Sequence, residues 1–191
     1  VDAALAILDY VDESLPYTEP QFTPYGFTFD VQEFQEWANA LDTDGVFEPA
    51  TAALVYSLQG GLFDPDYRDV KKIFVVVSDE ALDQGWPPGM PAPYDTQMSV
   101  DQVIDELNAN DVTVFTIVDT LTGFFGDVDG DGDGVPDGQE IAERTGGQRF
   151  DISETDWSPI FEAIGEGVLR SVGTTAAVIS EYSFQDAGLT V

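Results

Sequence analysis

The residues most capable of chemistry in this chain stand together in one segment, Asp129-Gly-Asp131-Gly-Asp133-Gly134-Val135-Pro136-Asp137-Gly-Gln-Glu140. It matches the twelve-residue calcium loop at each diagnostic position, with Asp at the first, third, fifth and ninth, Gly at the sixth and Glu at the twelfth. Calcium is a hard cation that takes roughly 6–8 oxygens. Alternating Asp residues wrap one side of such an ion. Gly134 permits the sharp bend, the Val135 carbonyl supplies an oxygen, and Glu140 closes the shell bidentately from the first turn of a following helix. Asp137, at the ninth position, often reaches the ion through water, so Glu140 is expected to matter more. Starting the frame at Asp127 would put Gly138 at the twelfth position, which fixes the register. The expected cofactor is Ca²⁺, with Asp129, Asp131, Asp133, Val135, Asp137 and Glu140 as its ligands.

Other chemistries are poorly supplied. The 191 residues include no Cys and no His, which removes disulfides, thiol catalysis, the Ser-His-Asp arrangement and the usual zinc ligand sets. Carboxylate pairs suggest glycosidase chemistry only weakly, because 37 acidic residues bring two together by chance. A binding module rather than an enzyme is therefore expected. Against those acids stand 6 Lys and Arg, a formal net charge of -31. Such a surface repels nucleic acid and anionic membranes, and favours divalent cations or high salt. A salt-adapted (halophilic) source and secretion into calcium-containing water both explain it, and the expected location is extracellular or at the cell surface. No apolar run approaches the roughly 20 residues of a membrane span, so no membrane insertion is expected. A hydrophobic share of 43%, with 13 Phe, is enough for a folded core. The chain opens at Val1 without a Met or leader, and reads as a processed or excised piece of something longer.

The elements that must position the loop follow from periodicity. Val1 to Ser14 carries apolar residues at helical spacing, and Pro16 to Phe29 reads as a loop or irregular strands. Val31 to Leu41 marks an amphipathic helix, and Pro49 opens another that Gly60-Gly61 ends. Lys71 to Asp79, with its Ile73-Phe-Val-Val-Val77 run, reads as a strand buried on both faces, and so does Val112 to Val118. Ser99 and Gln102 form a capping box for the helix between them. A short helix over Gly138 to Arg144, a strand over Arg149 to Ile152, a helix from Ser158 and a final strand over Thr175 to Phe184 complete the pattern. Strands separated by helices predict an α/β fold: a mostly parallel, doubly wound, Rossmann-like sheet with helices on both faces. Ligands of such sheets gather at the carboxyl ends of the strands, where Asp79 and Asp119 sit.

Two resemblances add to this reading. The segment before the loop, with Gly123-Phe-Phe-Gly126, does not read as a helix. The loop therefore resembles the half-sites of bacterial and thrombospondin-like calcium repeats, which keep the loop and exit helix only. Lys71-Lys-Ile-Phe-Val-Val-Val-Ser-Asp79, Ser99 to Leu107 leading to Val112-Thr-Val-Phe-Thr-Ile117, and Ile141-Ala-Glu-Arg-Thr-Gly-Gly147 before Arg149-Phe-Asp-Ile-Ser153 together resemble a von Willebrand factor type A domain. That resemblance implies a domain over residues 1–172, with the calcium loop inserted at 127–140 and a C-terminal strand or linker at 173–191. It also implies an adhesion site for Mg²⁺ or Mn²⁺, with Asp79 as its third-loop carboxylate and Thr43 or Asp44 as its second-loop ligand. The family's first strand and its D-x-S-x-S loop are not found before Val1. Asp151-Ile-Ser153-Glu-Thr155 is a D-x-S-x-T, but its flanks match the family's last strand and helix rather than a permuted site. The function implied is an adhesion or protein-binding module of a larger surface or secreted protein, whose partner is a protein ligand or a neighbouring subunit. The alternative is a structural subunit or stalk domain without a working adhesion site. In that family the first strand lies beside the one matching Ile73 to Val77. An open edge is expected there, filled by an external strand or by Thr175 to Phe184.

Overall fold

β-Branched residues crowd into Ile73-Phe-Val-Val-Val77 and Val112-Thr-Val-Phe-Thr-Ile-Val118, side chains that fit a pleated surface better than a helical one. In the computed structural model both segments are strands. The structure describes residues 5–11, 21–40, 50–61, 71–79, 82, 98–120, 127 and 129–172. Its elements are β1 (Leu5–Val11), β2 (Gln21–Thr28), α1 (Val31–Ala38), α2 (Ala50–Tyr56), β3 (Lys72–Ser78), α3 (Val100–Ala109), β4 (Val112–Val118), α4 (Asp137–Arg144), β5 (Arg149–Asp151) and α5 (Ser158–Val172).

Strands β3, β4 and β5 form a parallel sheet in that order, with Lys72 opposite Val112, Ser78 opposite Val118, and Val118 opposite Asp151. Parallel neighbours require crossovers, and α3 and α4 supply them. The capping box forms as expected: Ser99 Oγ accepts the Gln102 amide while Gln102 Oε1 accepts the Ser99 amide. One face of the sheet carries the main core, where Val76, Val112, Val114 and Val118 meet Leu54 of α2, Val103, Ile104 and Leu107 of α3, and Ile141 of α4. Phe115 points the other way, since side chains alternate along a strand. There it meets α5, so closely that a Cβ on Gly167 would lie 2.5 Å from its ring. The fold is thus α/β, a parallel sheet with helices on both faces.

The sheet is covered unevenly. Every residue of β4 is buried, as expected for a strand enclosed on both sides. β3 differs from expectation: Val76 is buried, but Val75 and Val77 are 44% and 46% exposed. The physical reason is position. β4 has a strand on each side and Phe115 beneath α5, whereas β3 lies at the end of the three-strand order, beyond α5's contact with Phe115. Among the described residues β4 is the strand that pairs with β3, and the strand expected over 175–184 lies outside them.

A second correction concerns the N-terminal segment. The spacing in Val1 to Ser14 predicts a helix, yet Leu5–Val11 is a strand in an antiparallel hairpin with Gln21–Thr28. The sequence Leu-Ala-Ile-Leu-Asp-Tyr-Val is so rich in apolar residues that it satisfies a period of 2 as well as 3.6, and a partner strand decides between them. Pro24 sits opposite Leu8, beside the register shift between Ala6 and Leu8, the kind of irregular place where a strand tolerates proline. α1 follows directly. Asp30 caps it by accepting the Gln32 amide at 2.8 Å, and Trp37 leans on Tyr25 of the hairpin with ring centroids 6.0 Å apart.

Candidate metal centre

The acidic loop connects β4 to α4, and local chemistry folds it before any ion is considered. Asp129 accepts three loop amides: Gly132 at 2.7 Å and Asp133 at 3.1 Å on one oxygen, and Gly134 at 2.8 Å on the other. Asp131 accepts the Asp133 amide and Asp133 accepts the Val135 amide, each an Asx turn. The bend needs glycine at its sixth position, where Gly134 has φ +100. These bonds curl the chain so that carboxylates face inward.

The ligand set then converges from loop and helix. Carboxylate oxygens of Asp129, Asp131 and Asp137 lie within 4.8 Å of one another, and so do those of Asp131, Asp133 and Glu140. Asp131 belongs to both groups, which together take in all five acids. Three are exposed loop residues. Asp137 and Glu140 belong to the first turn of α4 and are buried, 1% and 8% exposed. Asp137 Oδ2 and Glu140 Oε2 have no hydrogen-bond partner among the described residues. Buried carboxylate oxygens are normally satisfied, because leaving a charged group unpaired in low dielectric is costly. A cation held by these acids would satisfy both. The other oxygens are committed to protein: Asp137 Oδ1 accepts the Gly130 amide at 3.0 Å, and Glu140 Oε1 accepts from Arg144, which also holds Asp101 of α3.

Electrostatics agree with that demand. Burial pushes the Asp137 carboxyl up to about 7, against the Gly130 amide bond, and the neighbouring charges of Asp127, Asp131 and Asp129 add to the rise. A carboxylate so reluctant to ionise alone is what a dense, partly buried cluster of acids produces. Five of the six residues expected from the sequence thus fall in these two groups. The sixth, Val135, lies in the same turn with its amide on Asp133.

α4 is clamped to the sheet, which fixes Asp137 and Glu140 relative to the fold. Thr116 of β4 donates to the Gly138 carbonyl at 3.0 Å, and Thr145 Oγ1 accepts the Val114 amide at 3.0 Å. The chain leaving α4 passes so near β4 that a Cβ on Gly147 would lie 1.9 Å from the Val114 carbonyl oxygen, so only glycine fits.

No protein-family model matches the chain, and no curated protein or solved structure matches it either. The site has to be judged on its own geometry. No helix among the described residues is long and apolar enough to cross a membrane.

Of the second site expected from the resemblance, the structure describes Asp79 alone. Asp79 is exposed just beyond the end of β3 and belongs to neither metal-capable group among the described residues. Thr43 and Asp44 lie outside the described residues. At the same end of the sheet, Asp151 is engaged by Thr120 Oγ1 and by the amide and hydroxyl of Ser153 at 2.8 and 2.7 Å. Those bonds hold its carboxyl below the usual range, the Thr120 hydroxyl foremost, and account for the D-x-S segment as a turn.

Sequence reasoning missed one pair. Asp127 is buried and lies 2.8 Å from the Arg149 guanidinium of β5. Nothing local marks two residues so far apart in sequence as partners.

Proposed function

We propose that this chain is a calcium-binding, non-catalytic module of a surface or secreted protein, with calcium held by Asp129, Asp131, Asp133, Asp137, Glu140 and the Val135 carbonyl. The observation that carries the reading is the pair of buried oxygens on Asp137 and Glu140 that have no hydrogen-bond partner among the described residues, each residue belonging to one of two carboxylate groups that share Asp131. Calcium rather than magnesium follows from ligand number: an all-protein cage of several carboxylates suits a large cation that takes 6–8 oxygens, whereas Mg²⁺ keeps most of its water. Anchored to the sheet at Thr116 and Thr145, the ion would fasten the β4–α4 crossover rather than open a pair of helices.

The protein-binding role rests on the von Willebrand factor A-like order of segments, supported by the parallel β3-β4-β5 sheet with α3 and α4 between its strands. The second reading is a structural domain of an extracellular assembly without a working adhesion metal.

Calorimetric titration of calcium into the chelator-stripped chain tests the proposal, together with thermal melts with and without chelator. One ion should bind, and the melt should rise. Native-state binding adds about 2.7 kcal/mol when calcium is 100 times its Kd. No heat of binding and superimposable melts would overturn it. Mg²⁺ or Mn²⁺ binding that survives loss of Glu140 and disappears with Asp79 would separate the adhesion reading from the structural one.

A further inference from the structure

Asp127 is an acid too many. It stands two residues before the loop, its side chain is 0% exposed, and it belongs to neither metal-capable group. Burying a carboxylate near that of Asp137 is unfavourable unless something specific holds it. Three contacts do so. Its Oδ1 accepts the Gly138 amide at 2.8 Å, its Oδ2 lies 2.8 Å from Arg149 Nε, and its own amide donates to the Asp119 carbonyl at 2.8 Å, just past β4. The fit to Gly138 is close: a Cβ there would lie 2.9 Å from both carboxylate oxygens. The Asp127–Arg149 contact is an ion pair without good hydrogen-bond alignment.

The same few atoms frame the cation site. Gly138 lies between Asp137 and Glu140. Its amide is held by Asp127 and its carbonyl by Thr116. In the opposite direction Asp137 reaches back to the Gly130 amide. Asp127-to-Gly138 and Asp137-to-Gly130 are thus two crossed carboxylate–amide bonds that close the loop at its base. Arg149, only 17% exposed in its side chain, joins that base to β5. A guanidinium near a cation site lowers cation affinity by charge alone, so its presence calls for another role.

We propose that Asp127 and Arg149 are positioning residues that set the affinity of the calcium site by holding the Gly138 peptide, and with it Asp137 and Glu140, in ligating register. The inference rests on the calcium reading above. It implies that a change on β5, outside the loop, controls cation binding.

The charge argument makes the test decisive. Calcium is titrated into the stripped parent, Arg149→Gln and the double variant Asp127→Asn/Arg149→Gln, with apo melting measured alongside. Removing Arg149 deletes a positive charge, so electrostatics alone would tighten binding. Positioning instead requires Arg149→Gln to weaken it by about tenfold or more, the scale of losing a supporting partner of metal ligands. The double variant has the parent's net charge and can restore the bonds: the carboxamide introduced at position 127 accepts from the Gly138 amide and donates to the carboxamide introduced at position 149. It should recover most of the loss. A pair that served stability alone would lower the apo melt and leave calcium affinity unmoved. Affinity in Arg149→Gln equal to or tighter than the parent's would overturn the proposal. Should that variant not fold, Asp127→Ala/Arg149→Leu decides, because it leaves no buried charge and keeps the net charge. At least tenfold weaker binding there supports the inference, and parental affinity overturns it. A parent that binds no calcium fails the functional reading instead, a distinct outcome.

Discussion

At the scale of single residues, burial separates the ligands that sequence spacing treats alike. The ninth position of such loops often contacts the ion through water, yet Asp137 is 1% exposed and has an oxygen with no hydrogen-bond partner among the described residues. Asp137→Asn should therefore lower calcium affinity by at least about tenfold, with Glu140→Gln, the expected bidentate ligand, losing more. The same Asp137→Asn should stabilise the metal-free chain at neutral pH and above, on the order of 1–3 kcal/mol, by removing a buried charge that only the Gly130 amide offsets. Chemical denaturation in chelator reads the gain, and calorimetry reads the loss. The pH dependence follows from the same group. Its folded-state value of about 7 lies above the ordinary 3.8, so protonation favours the folded, metal-free chain. That contribution is complete below pH 3.8 and is lost as pH rises through about 7. A cation needs the ionised form, so calcium affinity should run the other way. It should weaken as pH falls below about 7, with up to about one proton taken up per ion released. Titrations in buffers of different ionisation enthalpy count that proton, and pH-independent affinity between about pH 6 and pH 8 would contradict it. The five acids of the two metal-capable groups were legible in the sequence because such a loop is a local object. The Asp127–Arg149 pair was not, because its partners meet only after β5 has docked beside β4.

At the scale of elements, the unbroken Ile73 to Val77 run promised a strand enclosed on both faces, and only one face is enclosed. Apolar content measures what a strand can bury, not what neighbouring elements cover. β4 and β3 have nearly the same composition and differ in burial because β4 is flanked on both sides and covered by α5 at Phe115. The hairpin was missed for a related reason: a short, dense apolar run fits either period, and its partner strand supplies the information that it lacks. The capping box was legible in detail, since Ser99 and Gln102 act through bonds to their own neighbours. The uneven cover yields a test. Val76→Thr places a hydroxyl in the core and should cost about 1–3 kcal/mol, whereas Val75→Thr, already 44% exposed, should cost less than about 0.5 kcal/mol. Urea melts at saturating calcium compare them. Equal costs would mean that the Val75 face is covered in solution.

At the scale of the whole molecule, charge dominates everything that the fold leaves at the surface. One bound divalent cation removes two of 31 excess negative charges, so the calcium-loaded chain is still strongly self-repelling. Two effects must be kept apart. The site is a local, directional cage that a monovalent salt cannot replace. The surface field is long-ranged, and any salt screens it once the Debye length drops to about 10 Å, near 0.1 M ionic strength. With calcium held saturating, raising sodium chloride from about 10 mM to about 1 M should raise the melting temperature and shrink the radius of gyration, most steeply across the first decade of salt. With calcium stripped, the same salt should recover the part of the stability lost to repulsion, but not the part lost with the loop. The gap between the loaded and stripped melts should therefore persist in molar salt. Scattering and melting curves across that grid decide the matter. If the gap closes at high salt, calcium acts only as a screening ion. If loaded chain is equally compact and equally stable at both ends of the salt range, its acidic surface is not a destabilising load, and the case for a salt-adapted surface falls with it.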